Sequence, residues 1–572
     1  MWLVSPLINH ISKPPKKECN EWMYILSWNN VLEILLMINL RRAKWSNLII
    51  VIVSSIIISG CNSSSSEDTP EESSQVPYTY VTQLGGDATA IDASDSGHGF
   101  STPMPNLQEA ELDKHLTGDV HFETAFTTAP NSEHPELDGL GPVFNNQDCN
   151  SCHQRDGRSS TVSVPTGEDR VLLGSEAGIF LRMSIDVGQC SEPSIDNNYC
   201  KNVGVDGFGT QLFHRGVLKA RDDWQENPFI GQADVYLAYE YSTVTYADGS
   251  SVELKKPVFT IEQPYDVDSE NRLNSAILQA DVRYSPRNGM PVFGLGLLEL
   301  ISEADILAFA DEDDVNNDGI SGRPNWVFDP VKEKNGDAIP VSLGRFGWKA
   351  STPSVRVQSL GALRGDMGIT NPLFPDESIA NTPLHESYLT RTGFVDTGVD
   401  EQGNTEASQT FSDEVVFYAE TLAVPARRSV NDESVIAGAQ LFTQVNCTGC
   451  HQPDFTTETG DLFVGGVPAP EVLKGQHIYP FTDMLLHDMG EGLSDNRRDF
   501  TANGREWKTR PLWGIGLTKT VNLAAGFLHD GRADNIEEAI LWHGGEAEQS
   551  KNDYMALAEA ERQSLIDFVM SL

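Results

Sequence analysis

Cys149-Asn150-Ser151-Cys152-His153 and Cys447-Thr448-Gly449-Cys450-His451 are the two stretches that decide how this chain is built. Each reads as an attachment site for a c-type haem. Two thiols three positions apart reach the two vinyl groups on one porphyrin edge, and the adjacent histidine then lies under the iron. Zinc clasps and redox dithiols also use CxxC pairs. Neither requires a histidine directly after the second cysteine, and here the pattern occurs twice. Two covalently bound haem c groups are therefore expected, on Cys149, Cys152 and His153 and on Cys447, Cys450 and His451.

Outward from the second motif, residues 434–445 place Val435, Ala439 and Phe442 near one helical face, and residues 557–572 repeat Leu565, Phe568, Val569 and Leu572. A helix leading into CxxCH and a closing helix outline a small cytochrome c domain at 426–572. Outward from the first motif the chain from 96 to 425 is too long for a bare cytochrome fold. Between 165 and 300 its pattern is mostly β. Residues 235–246 alternate, Asp248-Gly249 supplies a hairpin turn, and residues 252–261 continue as the partner strand. The expected fold class is thus mainly α, two haem c domains of cytochrome c type, the first carrying a β-rich insertion.

A chain of 572 residues exceeds one ordinary core. Its net charge of −43, from 83 acidic against 40 basic residues, argues against nucleic-acid binding, which needs concentrated Lys and Arg. Of the eight cysteines, four lie in the haem motifs. Cys190 and Cys200 bracket a nine-residue loop and suit a disulfide in an oxidising compartment. Arg41, Arg42 and Lys44 precede the apolar run 48–58, too short to span a bilayer comfortably. Ile58-Ser59-Gly60-Cys61 follows and resembles a bacterial lipobox, implying cleavage before Cys61 and lipidation of its thiol. An uncleaved membrane anchor is the alternative. Residues 1–60 are then an N-terminal extension with a signal peptide, and 61–95, rich in Ser, Glu, Asp and Pro, a flexible linker. Asn62 does not resemble an inner-membrane retention signal, so a periplasm-facing lipoprotein of the outer membrane is expected.

Further motifs carry a resemblance. Residues 139–145 (GLGPVFN), 294–299 (GLGLLE), 344–350 (GRFGWKA), 365–370 (GDMGIT), 422–428 (LAVPARR), 486–490 (LHDMG) and 527–533 (FLHDGRA) together resemble the di-haem oxidoreductase family, whose members are labelled peroxidases and also thiol oxidoreductase-like. The resemblance covers about residues 100–572, and more distantly the chain is similar to bacterial di-haem cytochrome c peroxidases. In those enzymes a Tyr-(Phe or Met)-His-(Asp or Asn)-Gly stretch is followed, fourteen positions after its histidine, by the sixth haem ligand. Phe527–Gly531 matches that stretch, and the ligand position falls on His543 rather than the usual Met. Met489 is the main rival, with Met484 and His487 also in range. The same resemblance makes Trp348, Gln358 and Asp366 the catalytic segment facing the first haem, with Asp366 as proton acceptor and donor for peroxide and Gln358 orienting it. Met367 is the alternative there: as a ligand it would close the first iron.

Asp314, Asn316 and Asp318 before Gly319 match the first half of a Ca²⁺ loop, although Asn325 stands where the twelfth-position Glu is usual; an ordinary acidic turn is the alternative. The resulting expectation is an exported peroxidase-like di-haem oxidoreductase. Electrons from a periplasmic donor, such as a small cytochrome, would enter at the C-terminal haem and pass to a reactive N-terminal haem that reduces hydrogen peroxide or a similar small oxidant. The membrane is touched through the lipid anchor. The alternatives are a di-haem electron-transfer protein without peroxidase activity, or a thiol- or iron-related oxidoreductase.

Overall fold

Apolar faces at helical spacing must find partners, and the four longest helices of the described residues do so in two crossed pairs. The computed structural model describes residues 77–92, 96–128, 131, 133–174, 178–216, 231–264, 276–379 and 403–572. The readings at the signal 41–61 and at Cys61 lie outside these residues. The helices are α1 (Glu109–Glu123), α2 (Gln409–Thr421), α3 (Glu433–Gln444) and α4 (Glu559–Ser571). Polar side chains start three of them. Glu111 reaches back to the Gln108 N–H (2.9 Å), Ser408 accepts from the Phe411 N–H (3.1 Å) and Glu561 accepts from the Ala558 N–H (2.8 Å).

α1 packs on α2 and α3 on α4, and the two crossings share a device. A Cβ added at Gly118 of α1 would stand 2.2 Å from the Glu414 carbonyl oxygen of α2, and one at Gly438 of α3 would stand 1.9 Å from that of Ser564 in α4. Only glycine lets the backbones approach this closely. Phe122 and Tyr418 at the first crossing and Phe442 and Phe568 at the second are all buried in one continuous core.

The β-rich stretch has a core of its own. Strands β1 (Ile179–Ile185), β2 (Asp234–Thr245), β3 (Ser251–Glu262) and β4 (Val282–Asn288) lie in two three-stranded antiparallel sheets, completed by the short strands Val171–Leu172 beside β2 and Gln211–Leu212 beside β1. β2 and β3 pair along their whole length, Asp234 opposite Glu262 through Thr245 opposite Ser251. Gly249 takes a positive φ of 88° in the connecting turn, the backbone that the Asp-Gly pair allows. β1 pairs with β4 from Ile179–Asn288 to Ile185–Val282 and with Gln211–Leu212 on its other edge. Leu181, Met183, Phe208, Leu212, Val235 and Leu237 fill the core associated with these sheets. Cys190 and Cys200 are joined in a disulfide beside them.

The mainly α expectation does not hold. Among the described residues only four helices exceed nine residues, and strands recur in several small sheets well beyond the 165–300 stretch. Trp326–Phe328 pairs with Val341–Leu343, and Leu486–Asp488 with Glu506–Lys508. Helical periodicity in the last third is real in α3 and α4. Between them, however, the chain forms short strands, turns and brief helices. A crossed helix pair needs only some 25 residues, and the sequence between its two helices is spent on enclosing a cavity. There, each residue's position is set by contacts with distant segments rather than by its neighbours' periodicity.

Candidate haem centres

The two CxxCH loops fold alike. In the first, the N–H groups of Cys152 (3.1 Å) and His153 (2.9 Å) both donate to the Cys149 carbonyl. In the second, Cys450 (3.4 Å) and His451 (2.9 Å) donate to that of Cys447. All four thiols are free of disulfides. Each histidine ring then donates from Nδ1 to a backbone carbonyl, His153 to Met290 (2.6 Å) and His451 to Phe481 (2.9 Å). That bond fixes the tautomer and leaves Nε2 as the nitrogen with a lone pair to give. Each ring is backed by the helix pair. Phe122 lies 6.2 Å from His153 at 51°, and Phe442 lies 6.2 Å from His451 at 52°. Behind them stand Tyr418 (5.3 Å from Phe122) and Phe568 (5.2 Å from Phe442). The chain thus contains one seat built twice.

Burial pushes His451 down to about 4 and lowers His153, so both imidazoles are neutral, the form that ligates iron. Burial likewise raises the Cys152 and Cys447 thiols to about 12 and lifts Cys149 and Cys450, which disfavours thiolates. A thioether carries no charge, so such surroundings suit it.

A cavity opens beside Cys447, Cys450 and His451, and His543 and Met489 line it too. His543 follows the helix Ile536–Leu541 and donates from Nδ1 to the Ala539 carbonyl (2.7 Å), again leaving Nε2. Burial lowers its pKa. His487 lines the same cavity, but both its nitrogens are taken, Nε2 by Asp483 (2.8 Å) and Nδ1 by Glu546 (2.7 Å). Burial opposes its charge, but the Asp483 carboxylate, with Glu546 at the other nitrogen, outweighs burial and holds the imidazole protonated. It has no lone pair for a metal. Met484 is buried in the main core and is not among the residues lining this cavity.

The catalytic segment expected from sequence is divided between the seats. Asp366 lies on a π-helical turn, Leu363–Met367, packed on the loop before the first CxxCH, where the Asn145 N–H donates to its carbonyl (2.7 Å). Its carboxylate accepts from Gln211 Nε2 (2.7 Å) and lies within electrostatic reach of Cys149, Cys152 and His153. Trp348 instead lines the cavity of the second seat, its indole N–H donating to the Asn288 carbonyl (2.9 Å). Gln358 accepts from Thr352 Oγ1 (2.8 Å), and among the described residues no hydrogen bond joins the three. Met367 is buried in the core, its carbonyl accepting from the Gly141 N–H.

The family described as "di-haem oxidoreductase, putative peroxidase" matches residues 78–572. The chain belongs to the di-haem oxidoreductase family. No curated protein and no solved structure matches it. The residues of this di-haem oxidoreductase fit the group that its family requires: paired free thiols, an oriented neutral imidazole beside them, and at the second seat a cavity with a further imidazole.

Several site residues of the oxidoreductase escaped the sequence. Gln211, the partner of Asp366, lies 155 positions away in the β-rich stretch. Trp507 stacks on His529 (3.8 Å, 18°), with Lys349 Nζ 4.5 Å from its ring centroid. Nothing local in either sequence stretch signals these pairings. In the acidic loop the side chains cap their own backbone: Asp314 accepts from Gly319 (3.3 Å), Asn316 from Asp318 (2.8 Å) and Asp318 from Ile320 (2.8 Å). Asn325 is buried and bonds the Lys349 and Asp499 carbonyls and Thr501 instead.

Proposed function

We propose that this di-haem oxidoreductase is an exported c-type peroxidase that takes electrons at its C-terminal seat and reduces hydrogen peroxide at its N-terminal one. Haem c would supply one-electron transfer and, where the iron keeps an open position, a place for a small oxidant. The observation that carries the reading is the duplicated seat with unequal surroundings. The second seat has a candidate sixth ligand, His543, in its own cavity, whereas the first has a carboxylate, Asp366, held beside it. Cys149 and Cys152, and Cys447 and Cys450, would attach the porphyrins, and His153 and His451 would ligate the irons.

Reduction of peroxide consumes two electrons and two protons and yields two waters. Asp366 takes the proton from the near oxygen of peroxide and returns it to the leaving oxygen. The Gln211 amide holds the carboxylate in place for this, since its bond to Oδ1 leaves Oδ2 for the proton. A periplasmic donor, such as a small cytochrome, supplies the electrons. Export and anchoring follow from the Cys61 lipobox reading, and structural Ca²⁺ in the 314–318 loop remains part of the proposal only as a stabiliser of that turn.

Asp366→Asn keeps the size and the bond from Gln211 but cannot take the proton. Peroxide reduction should slow by roughly 10²- to 10⁴-fold, with haem content and optical spectra unchanged. Wild-type turnover in Asp366→Asn, or peroxidase activity gained in Met367→Ala, would favour the pure electron carrier instead.

A further inference from the structure

We propose that Arg158, Lys508 and Arg510 form the seat for the carboxylates of the porphyrin attached at Cys447 and Cys450. All three line the cavity that holds those cysteines, His451 and His543. They come from distant segments: Arg158 follows His153 by five positions in the first attachment loop, whereas Lys508 and Arg510 belong to the second half. Arg158 donates from Nε to the Gly526 carbonyl and from Nη2 to that of Leu528 (2.6 Å each), which fixes the plane of the guanidinium. Lys508 donates to the Arg345 carbonyl (2.7 Å). Arg510 makes no side-chain hydrogen bond among the described residues, and its guanidinium carbon lies 5.2 Å from the Trp348 ring centroid, as does that of Arg158.

The three cations lack a counter-charge of their own. The carboxylates within electrostatic reach are engaged elsewhere, Asp530 with Arg532 (2.6 Å) and Asp483 with His487 (2.8 Å). Burial lowers Arg510 to about 10, and burial with Arg510 nearby lowers Arg158 to about 9. Burial and Arg510 also hold Lys508 well down. Gathering like charges out of water is strongly unfavourable unless an anion joins them. A haem brings two carboxylates on its periphery and would be held in this same cavity by the thioethers. This inference rests on the reading that the second seat carries a covalent haem. A dissociable small anion at the same cations is the competing occupant.

The test uses the holoprotein and Arg510→Gln, which removes a charge without breaking a protein hydrogen bond. Reduction midpoints of both haems are measured from pH 5 to 8, with haem content determined on the same samples. In the wild type a paired carboxylate stays ionised and contributes no pH dependence. In Arg510→Gln its pKa rises into the range, and deprotonation with rising pH then favours the ferric form. The midpoint should fall by up to about tenfold in the reduction equilibrium per pH unit, about 59 mV for one electron. Arg510→Lys should restore the wild-type profile. Of the neighbouring groups, burial holds His529 down to about 3, Asp530 is held low because Arg532 secures its charge against the opposing effect of burial, Glu546 is held down to about 2 beside His487, and His487 is held well up by Asp483. With both haems attached, a pH-independent shift or no shift in Arg510→Gln overturns this inference alone. Absence of haem at Cys447 and Cys450 in the wild type overturns it together with the reading beneath it.

Discussion

His543 and His487 line one cavity as the same residue type, and their partners separate their roles. A backbone carbonyl holds the Nδ1 of His543, whereas carboxylates hold both nitrogens of His487 and keep it cationic. The motif spacing put both in range of the second iron. It could not show that Glu546, 59 positions on, occupies the second nitrogen of His487. Likewise the first ligand set and the Asp366 position are local motifs, whereas Trp348 is directed by a distant partner, the Asn288 carbonyl, Gln358 is turned to the nearby Thr352, and neither is hydrogen-bonded to Asp366. Replacing His543 by Gly should open the second iron and add a high-spin signal to the electron paramagnetic resonance spectrum, while Met489→Ala leaves the spectrum as it was. The reverse pattern would give the sixth position to Met489.

α3 and α4 were legible because an apolar stripe at helical spacing has few other uses, and the β2–β3 hairpin because strict alternation meets an Asp-Gly turn. The elements that enclose the cavity were not. Leu486–Asp488 pairs with Glu506–Lys508 across a long loop, and a two- or three-residue strand has no periodicity to detect. What the sequence also hides is that Gly118 and Gly438 are the same contact in two places. Val at position 438 would drive methyl groups into the Ser564 carbonyl and the Phe568 side chain. The cost of such overpacking is about 1–3 kcal/mol, read as a lower denaturant midpoint for the holoprotein. Because Phe568 backs Phe442, which in turn touches His451, the optical band of the second haem should broaden while the first is unaffected. An unchanged midpoint would mean that the helices part without loss and that the crossing is not tight.

Across the whole molecule, the two seats lie in one unit, residues 74–572, and the family match spans nearly all of it. Arg158, from the first attachment loop, lines the second cavity, and its backbone carbonyl accepts from Asn522 Nδ2 (2.8 Å) in the second half. The halves are therefore built as partners, which suits electron passage between two fixed centres better than two independent carriers on a string. The central claim is two covalent haems per mature chain, and the mass of the intact denatured protein tests it most directly. A lipidated chain beginning at Cys61 and carrying two haems is expected, with one haem lost from Cys149→Ala/Cys152→Ala and the other from Cys447→Ala/Cys450→Ala. A wild-type chain that carries no haem after denaturation, or both haems retained when either cysteine pair is removed, would contradict it.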